Sequence, residues 1–394
     1  MVTISSAENA LKTVYLGVVS NQLNVNANPL LAKIKQTTSD VWGKEVRKLA
    51  PFGLNGGIGA GTEEGVLPSA AGNNYVQFVS ELKNLYGTIE LSDKAIRASS
   101  NNAGSFVNLL NAEMEGLVKA SAFNFGRMLY GDGSGVLATV TAYNDTTKVI
   151  TVDSVRNLME GMTVDTYTDA DAKVSGKTAR ISFIDRVNKT IKLSIDPDAA
   201  TAADYYFTVQ NSKGLELTGL GEIFKTTGSL YGVDRSEHSW MSPYIETSVG
   251  AIGDNVIQTA IDHLEDVAGS GVDFIATSAK VKRGYQDYLA NFRRNIDVME
   301  LEGGFRAISY GGIPVISDRF VEEDAMYLLN TKEFALHQLC DWKWLEAEDG
   351  KIIKQMPGFA TYTATLVKYA DLICNKPSAQ AKLSGLDGTA VTSA

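Results

Sequence analysis

The sequence predicts an α+β fold interrupted by an inserted all-β domain. Three observations lead there. A long amphipathic stretch begins at Gly104. A run of six short strand-like segments fills residues from about 136 to 210. After that run, helix and strand patterns mix without a repeating βαβ unit.

The elements follow in order. Residues 1–41 read as an N-terminal arm: Ala10, Leu11, Val14, Tyr15, Val18 and Val19 recur at helical spacing, and "NVNANP" breaks the pattern. Residues 42–100 read as an extended hairpin. Val76 and Phe78 alternate, as do Ile89 and Leu91, and the tip "PFGLNGGIGAGTEEGVLPSAAGN" holds seven glycines and few large apolar side chains. Such a hairpin buries little of itself and calls for a partner surface. Residues 101–133 carry the strongest pattern. Phe106, Leu109, Leu110, Met114, Leu117, Val118, Ser121, Ala122, Phe125, Met128 and Leu129 mark one helix, closed by Gly131 and Gly133.

Residues 134–213 hold the segments "VLATVTAY", "TKVITVD", "MTVDTY", "ARISFIDRV", "TIKLSI" and "YYFTVQ", separated by polar turns. Six strands at this spacing predict a small barrel or sandwich inserted between Gly135 and Gly214. Residues 214–380 form the α+β core. A helix is expected along Val249, Ile252, Val256, Ile257, Ile261, Leu264 and Val267, and another along Val281, Tyr285, Leu289 and Phe292. Strands are expected at "VDFIATS", "AMYLLN" and "TATLVKYADLIC", with two more around Gly311–Gly312. Residues 381–394 are small and polar and read as a flexible tail.

Bulk properties narrow the function. The chain has 394 residues, 44% hydrophobic and 21% charged, with a formal net charge of −10. That is ordinary globular composition with enough chain for a real core. An acidic chain is poorly suited to tight nucleic-acid binding, which draws on Lys and Arg. Two cysteines, Cys340 and Cys374, give neither a disulfide framework nor a Cys-rich metal site. The N-terminus lacks the features of a signal peptide, and no apolar run approaches the roughly 20 residues that span a bilayer. The expectation is a soluble chain made in a cytoplasm, with no membrane partner.

Candidate chemistry is sparse. "GGIGAG" lacks the Lys of a phosphate loop and the third glycine of a dinucleotide fingerprint. His238, His263 and His337 are far apart in sequence. "TDADAK" offers Asp169 and Asp171, but Val174 stands where a calcium loop needs Gly and Arg180 where it needs Glu. Glu63–Glu64 and Glu322–Glu323 read as solvated acidic faces. Lys280, Lys282, Arg283, Arg293 and Arg294 form the best anionic-partner candidate, with charged surface or intersubunit salt bridges as the plainer reading. Trp342 and Trp344 share one face if their segment is extended. No catalytic, cofactor or metal residues are assigned, and no enzyme activity is expected.

The order of parts is more telling than any motif. The stretches "NPLLAKIKQTTSDVWGKEVRKLAPFG", "YGTIELSDKAIRASSNNAGSFVNLLNAEMEGLVKASAFNFGRMLYGDG", "GLGEIFKTTGSLYGVDRSEHSWMSP" and "VDFIATSAKVKRGYQDYLANFRRN…FRAISYGGIPVISDRF" run in the sequence arm, hairpin, long helix, mixed core. This resembles the major capsid proteins of tailed bacteriophages, with the Hong Kong 97-type fold. The resemblance implies an N-arm, an E-loop, a spine helix, and peripheral and axial domains. It also implies self-assembly into hexamers and pentamers of an icosahedral virion shell around double-stranded DNA, built in the bacterial host cytoplasm. An encapsulin-like compartment of the same fold is the alternative. No long charged segment precedes the arm, so with a chain opening at Met1 the expectation is an uncleaved subunit and a separate scaffolding protein, with assembly without any scaffold as the alternative. A portal is a further implied partner, a decoration protein is left open, and contact with packaged DNA is expected to be weak and non-specific. Some relatives cross-link through a Lys–Asn isopeptide bond aided by a Glu. No motif here places those residues, and none is predicted.

Overall fold

The computed structural model describes residues 28–94, 103–195, 204–291, 298–300, 306–346 and 350–391. The helix expected over residues 10–19, together with Phe292, Arg293 and Arg294, lies outside the described residues.

The described part of the arm is not free. Asn28 caps a short helix, Pro29–Lys33, its side-chain oxygen accepting from the Leu30 and Leu31 N–H groups. Pro29 occupies the first turn, where its missing N–H costs nothing. Leu30 and Leu31 are fully buried in the main core. The strand Lys35–Thr37 then runs parallel to the strand Phe334–Trp344.

That pairing opens a five-stranded sheet. Phe334–Trp344 pairs antiparallel with the long strand Thr361–Cys374, which pairs along its other edge with Lys83–Ser92 over ten residues. The expected hairpin over residues 42–100 is therefore shorter than the sequence reading had it. Its final segment is a sheet strand whose alternating Leu85, Ile89 and Leu91 are buried. The partner strand lies almost 300 residues away in sequence, so local alternation alone could not reveal the pairing. The long helix, Ala103–Tyr130, packs on this sheet. Its Met114, Val118, Phe125 and Leu129 face the core, and at 1.5 Å per residue it spans about 42 Å.

The insert is a closed six-stranded barrel: Val136–Asn144, Val149–Val152, Thr163–Tyr167, Ala179–Asp185, Thr190–Leu193 and Tyr206–Val209. Its core, which includes Val140, Ile150, Leu158, Val164, Ile191 and Phe207, is separate from the main one. Entry and exit run side by side, with the Gly214 N–H donating to the Ser134 carbonyl at 2.8 Å. A buried ion pair closes the root. Arg127 on the long helix donates twice to Glu216, at 2.8 and 2.5 Å, the bidentate geometry a guanidinium offers a carboxylate.

The remaining core is a seven-stranded sheet with two helices. The helix Asp254–Ala268 starts later than the apolar spacing suggested, because Gly250–Ile252 is a strand and Gly253 is extended. Val267 is exposed, and Ala260 takes the core-facing place. The helix Ala279–Asn291 buries Val281, Tyr285, Tyr288 and Leu289. Gly311 and Gly312, both at positive φ, turn Arg306–Tyr310 into Ile313–Ser317.

The expected loose tail at 381–394 is a correction. Ala381–Leu383 and Leu386–Ala390 are strands. The first joins the seven-stranded sheet between Tyr244–Glu246 and Met326–Leu329, and the second pairs parallel with Gly250–Ile252. Ala381, Leu383 and Leu386 are fully buried. A Cβ on Gly284 would sit 2.4 Å from the Gly388 carbonyl, so the bare glycine lets the helix meet this strand backbone to backbone.

Candidate assembly surface

The hairpin stem consists of Glu45–Phe52 and Asn74–Glu81, paired antiparallel from Glu45 with Glu81 to Phe52 with Asn74. Strand alternation splits it into two faces. One presents Val46, Ala50 and Phe78 to the core, all buried. The other presents Leu49, Tyr75 and Val79 to solvent, with Leu49 60% exposed. The sequence expectation that the hairpin buries little of itself holds for that outer face but not for the inner one.

The stem is tightly held along its length, up to the residue that enters the tip. Phe52 stacks on Trp240 at 5.7 Å, and Phe78 stacks on the same indole at 5.9 Å. The Val79 N–H donates to the Tyr231 carbonyl. Asp371, on the long strand and fully buried, accepts from the Ser80 hydroxyl at 2.5 Å, the Thr218 N–H at 2.8 Å and the Thr218 hydroxyl at 3.0 Å. One carboxyl thus joins the stem, the exit from the barrel and the sheet. Burial pushes it above the usual carboxylate range. Lys48 donates to Asn375 Oδ1 at 2.7 Å beside a cavity of about 420 Å³ under the end of the stem that enters the tip, lined also by Pro51, Phe52, Trp240 and Lys376.

The tip contrasts with its root. From Gly53 to Asn73 the chain has no strand or helix. Leu54, Ile58, Val66 and Leu67 are 84–96% exposed. Their signal was in the sequence: four aliphatic residues among glycines, with no alternation to face them inward. A rigid stem that holds four uncovered aliphatic side chains away from its own core can bury them only on another surface.

The other candidates do not converge. His238 lies against Phe52, and His263 packs on Tyr244 at 4.1 Å. His337 is buried, with Nδ1 2.9 Å from the Ser39 carbonyl, and burial lowers its pKa. Asp171 receives the Tyr206 hydroxyl and the Lys213 ammonium within a polar turn of the barrel. Glu322 accepts from Tyr327 and Lys382, while Glu63 and Glu64 are exposed in the tip. Lys280 and Arg283 are exposed and Lys282 is half-buried. Trp342 and Trp344 both point into the core. Among the described residues no three His, Cys, Asp or Glu side chains are grouped to hold a metal, and no helix is long and apolar enough to cross a membrane.

No protein-family model and no curated protein matches the sequence. The likeness is structural. The capsid asymmetric unit of cyanophage A-1(L) matches over 95% of this chain and 93% of that one, with a TM-score of 0.53 and 12% identity. The chain has a phage capsid fold. Looser matches include the SrpI encapsulin complex from Synechococcus elongatus (TM-score 0.47, 10% identity, 94% and 91% covered). The capsid of the myovirus XM1 is another (0.44, 11%, 92% and 92%). The capsid fold accounts for the arrangement that no single motif explained: arm, projecting hairpin, long helix and mixed core, in that order.

Proposed function

We propose that this chain is the major capsid protein of a tailed bacteriophage, assembling with copies of itself into the icosahedral shell that encloses double-stranded DNA. The observation that carries the reading is the projecting hairpin on a capsid fold, anchored at its root and apolar at its tip. Many such contacts, each modest, add up across a closed shell. Hexamers and pentamers are the units of that shell. A separate scaffolding protein and a portal are its partners, and the role is structural, without catalysis. Assembly takes place in the host cytoplasm, and the net charge of −10 leaves the genome held by confinement.

The test is to express the chain alone, then with the candidate scaffold encoded beside it, and image the products by negative-stain electron microscopy. Closed shells or capsomer rings are expected. Large shells fit a genome-bearing head, whereas small uniform ones would favour the encapsulin-like compartment. A monomer under both conditions would overturn the assembly reading.

A further inference from the structure

The tip contains the one Asn-Gly dipeptide of the sequence, Asn55–Gly56. Both residues are exposed. The amide of Asn55 is held at both ends: its Oδ1 accepts the Gly57 N–H at 2.8 Å, and its Nδ2 donates to Asn73 Oδ1 at 3.0 Å across the tip. We propose that Asn55–Gly56 is a self-modifying site, at which the Asn55 side chain converts through a cyclic imide to isoaspartate and aspartate.

The chemistry needs only water. Hydroxide takes the Gly56 amide proton, and that nitrogen attacks Asn55 Cγ. A glycine at the attacking position has no Cβ to obstruct the approach. Charge builds on Oδ1, where the Gly57 N–H already points, as a donor at a developing oxyanion should. The Cγ–Nδ2 bond breaks, and the nitrogen leaves as ammonia with a proton from solvent. Water then adds across either imide carbonyl and opens the ring. The net change is one ammonia lost and one water gained, with no oxidant or reductant.

The product differs in ways the tip would feel. The donor to Asn73 is gone, so the bridge between the two limbs is lost. A carboxylate joins Glu63 and Glu64 in the same loop. In the isoaspartyl form the backbone is longer by one methylene. If the tip serves assembly, as proposed above, a subunit that waits unassembled ages at its contact surface. That consequence rests on the shell reading, but the chemistry does not.

The experiment holds the purified full-length chain in mildly alkaline buffer, native or unfolded in urea. At intervals, samples are digested and mapped by mass spectrometry with isoaspartyl methyltransferase labelling. The expected result is that the peptide between Lys48 and Lys83 gains the mass of an amide-to-acid exchange before any other asparagine peptide. The native chain should convert at least as fast as the unfolded one, and Gly56→Ala should lose the conversion. Slower conversion in the native chain, or another asparagine reacting first, would overturn the proposal. Neither result depends on whether shells form.

Discussion

Asp371 ties the hairpin stem to the long sheet strand and to the exit from the barrel. It is fully buried and takes three hydrogen bonds from two separate segments. Removing it strands the Ser80 hydroxyl and both Thr218 donors, and buried unpaired groups each cost on the order of 1–3 kcal/mol. Asp371→Ala should therefore lower unfolding stability by about 3 kcal/mol, read from the urea midpoint, whereas Ser80→Ala should cost about 1 kcal/mol. His337 supplies a pH signature. Its neutral ring donates to the Ser39 carbonyl, and burial holds its pKa below the ordinary 6.5. Between those two values the unfolded chain binds a proton that the folded chain does not. Stability from this residue is present above pH 6.5 and is lost as pH falls through the lowered value. The buried acids Asp371 and Asp318 act in the opposite sense, because burial raises both above 3.8. Their contribution grows as pH falls through those raised values. Comparing His337→Gln with the parent isolates the histidine: the difference in urea midpoint should shrink as pH drops below 6.5. A difference constant with pH would contradict the assignment.

Among the elements, the barrel is the most separable. Its core shares no residue with the main one, and its two connections lie within one hydrogen bond of each other. Residues 135–213 expressed alone should fold to a monomer with a cooperative thermal transition. The remainder, closed by a short linker from Ser134 to Gly214, should keep its fold. An unfolded barrel fragment would show that the Arg127–Glu216 pair and its surroundings are needed to hold the insert together. The barrel's strands were also open to sequence reading. Each strand's apolar pattern is local and could be read directly, although half of the pairings are not: Tyr206–Val209 pairs with Val136–Asn144 and with Thr163–Tyr167, and Thr190–Leu193 with Val149–Val152. The long helix was legible for the same reason. The five-stranded sheet was not, because Lys83–Ser92 finds its partner at Thr361–Cys374. The tail hid for a different reason: only Ala381, Leu383 and Leu386 mark its buried side. Its strands pair with segments far back in the chain.

On the scale of the whole molecule, the account rests on a division between anchored root and uncovered tip. Fold class and order of parts could be read from the sequence. The assembly surface could be read only in part: the hairpin was marked as needing a partner, but which of its side chains stay uncovered is a property of the folded chain. Leu54, Ile58 and Val66 lie next to glycines in sequence, with Leu67 one residue further on, and only the structure shows that no described residue of their own subunit covers them. Full burial of one such side chain is worth about 1.5–3 kcal/mol, which the free subunit forgoes and a neighbour can supply. The direct measurement is the sedimentation of the parent chain beside a variant with all four changed to Ser, under conditions where the parent forms shells. The variant should match the parent's unfolding free energy to within about 0.5 kcal/mol, as surface changes do, and should sediment as free subunits or small rings. Shells from the variant in parental yield would contradict the claim that the hairpin tip joins one subunit to the next.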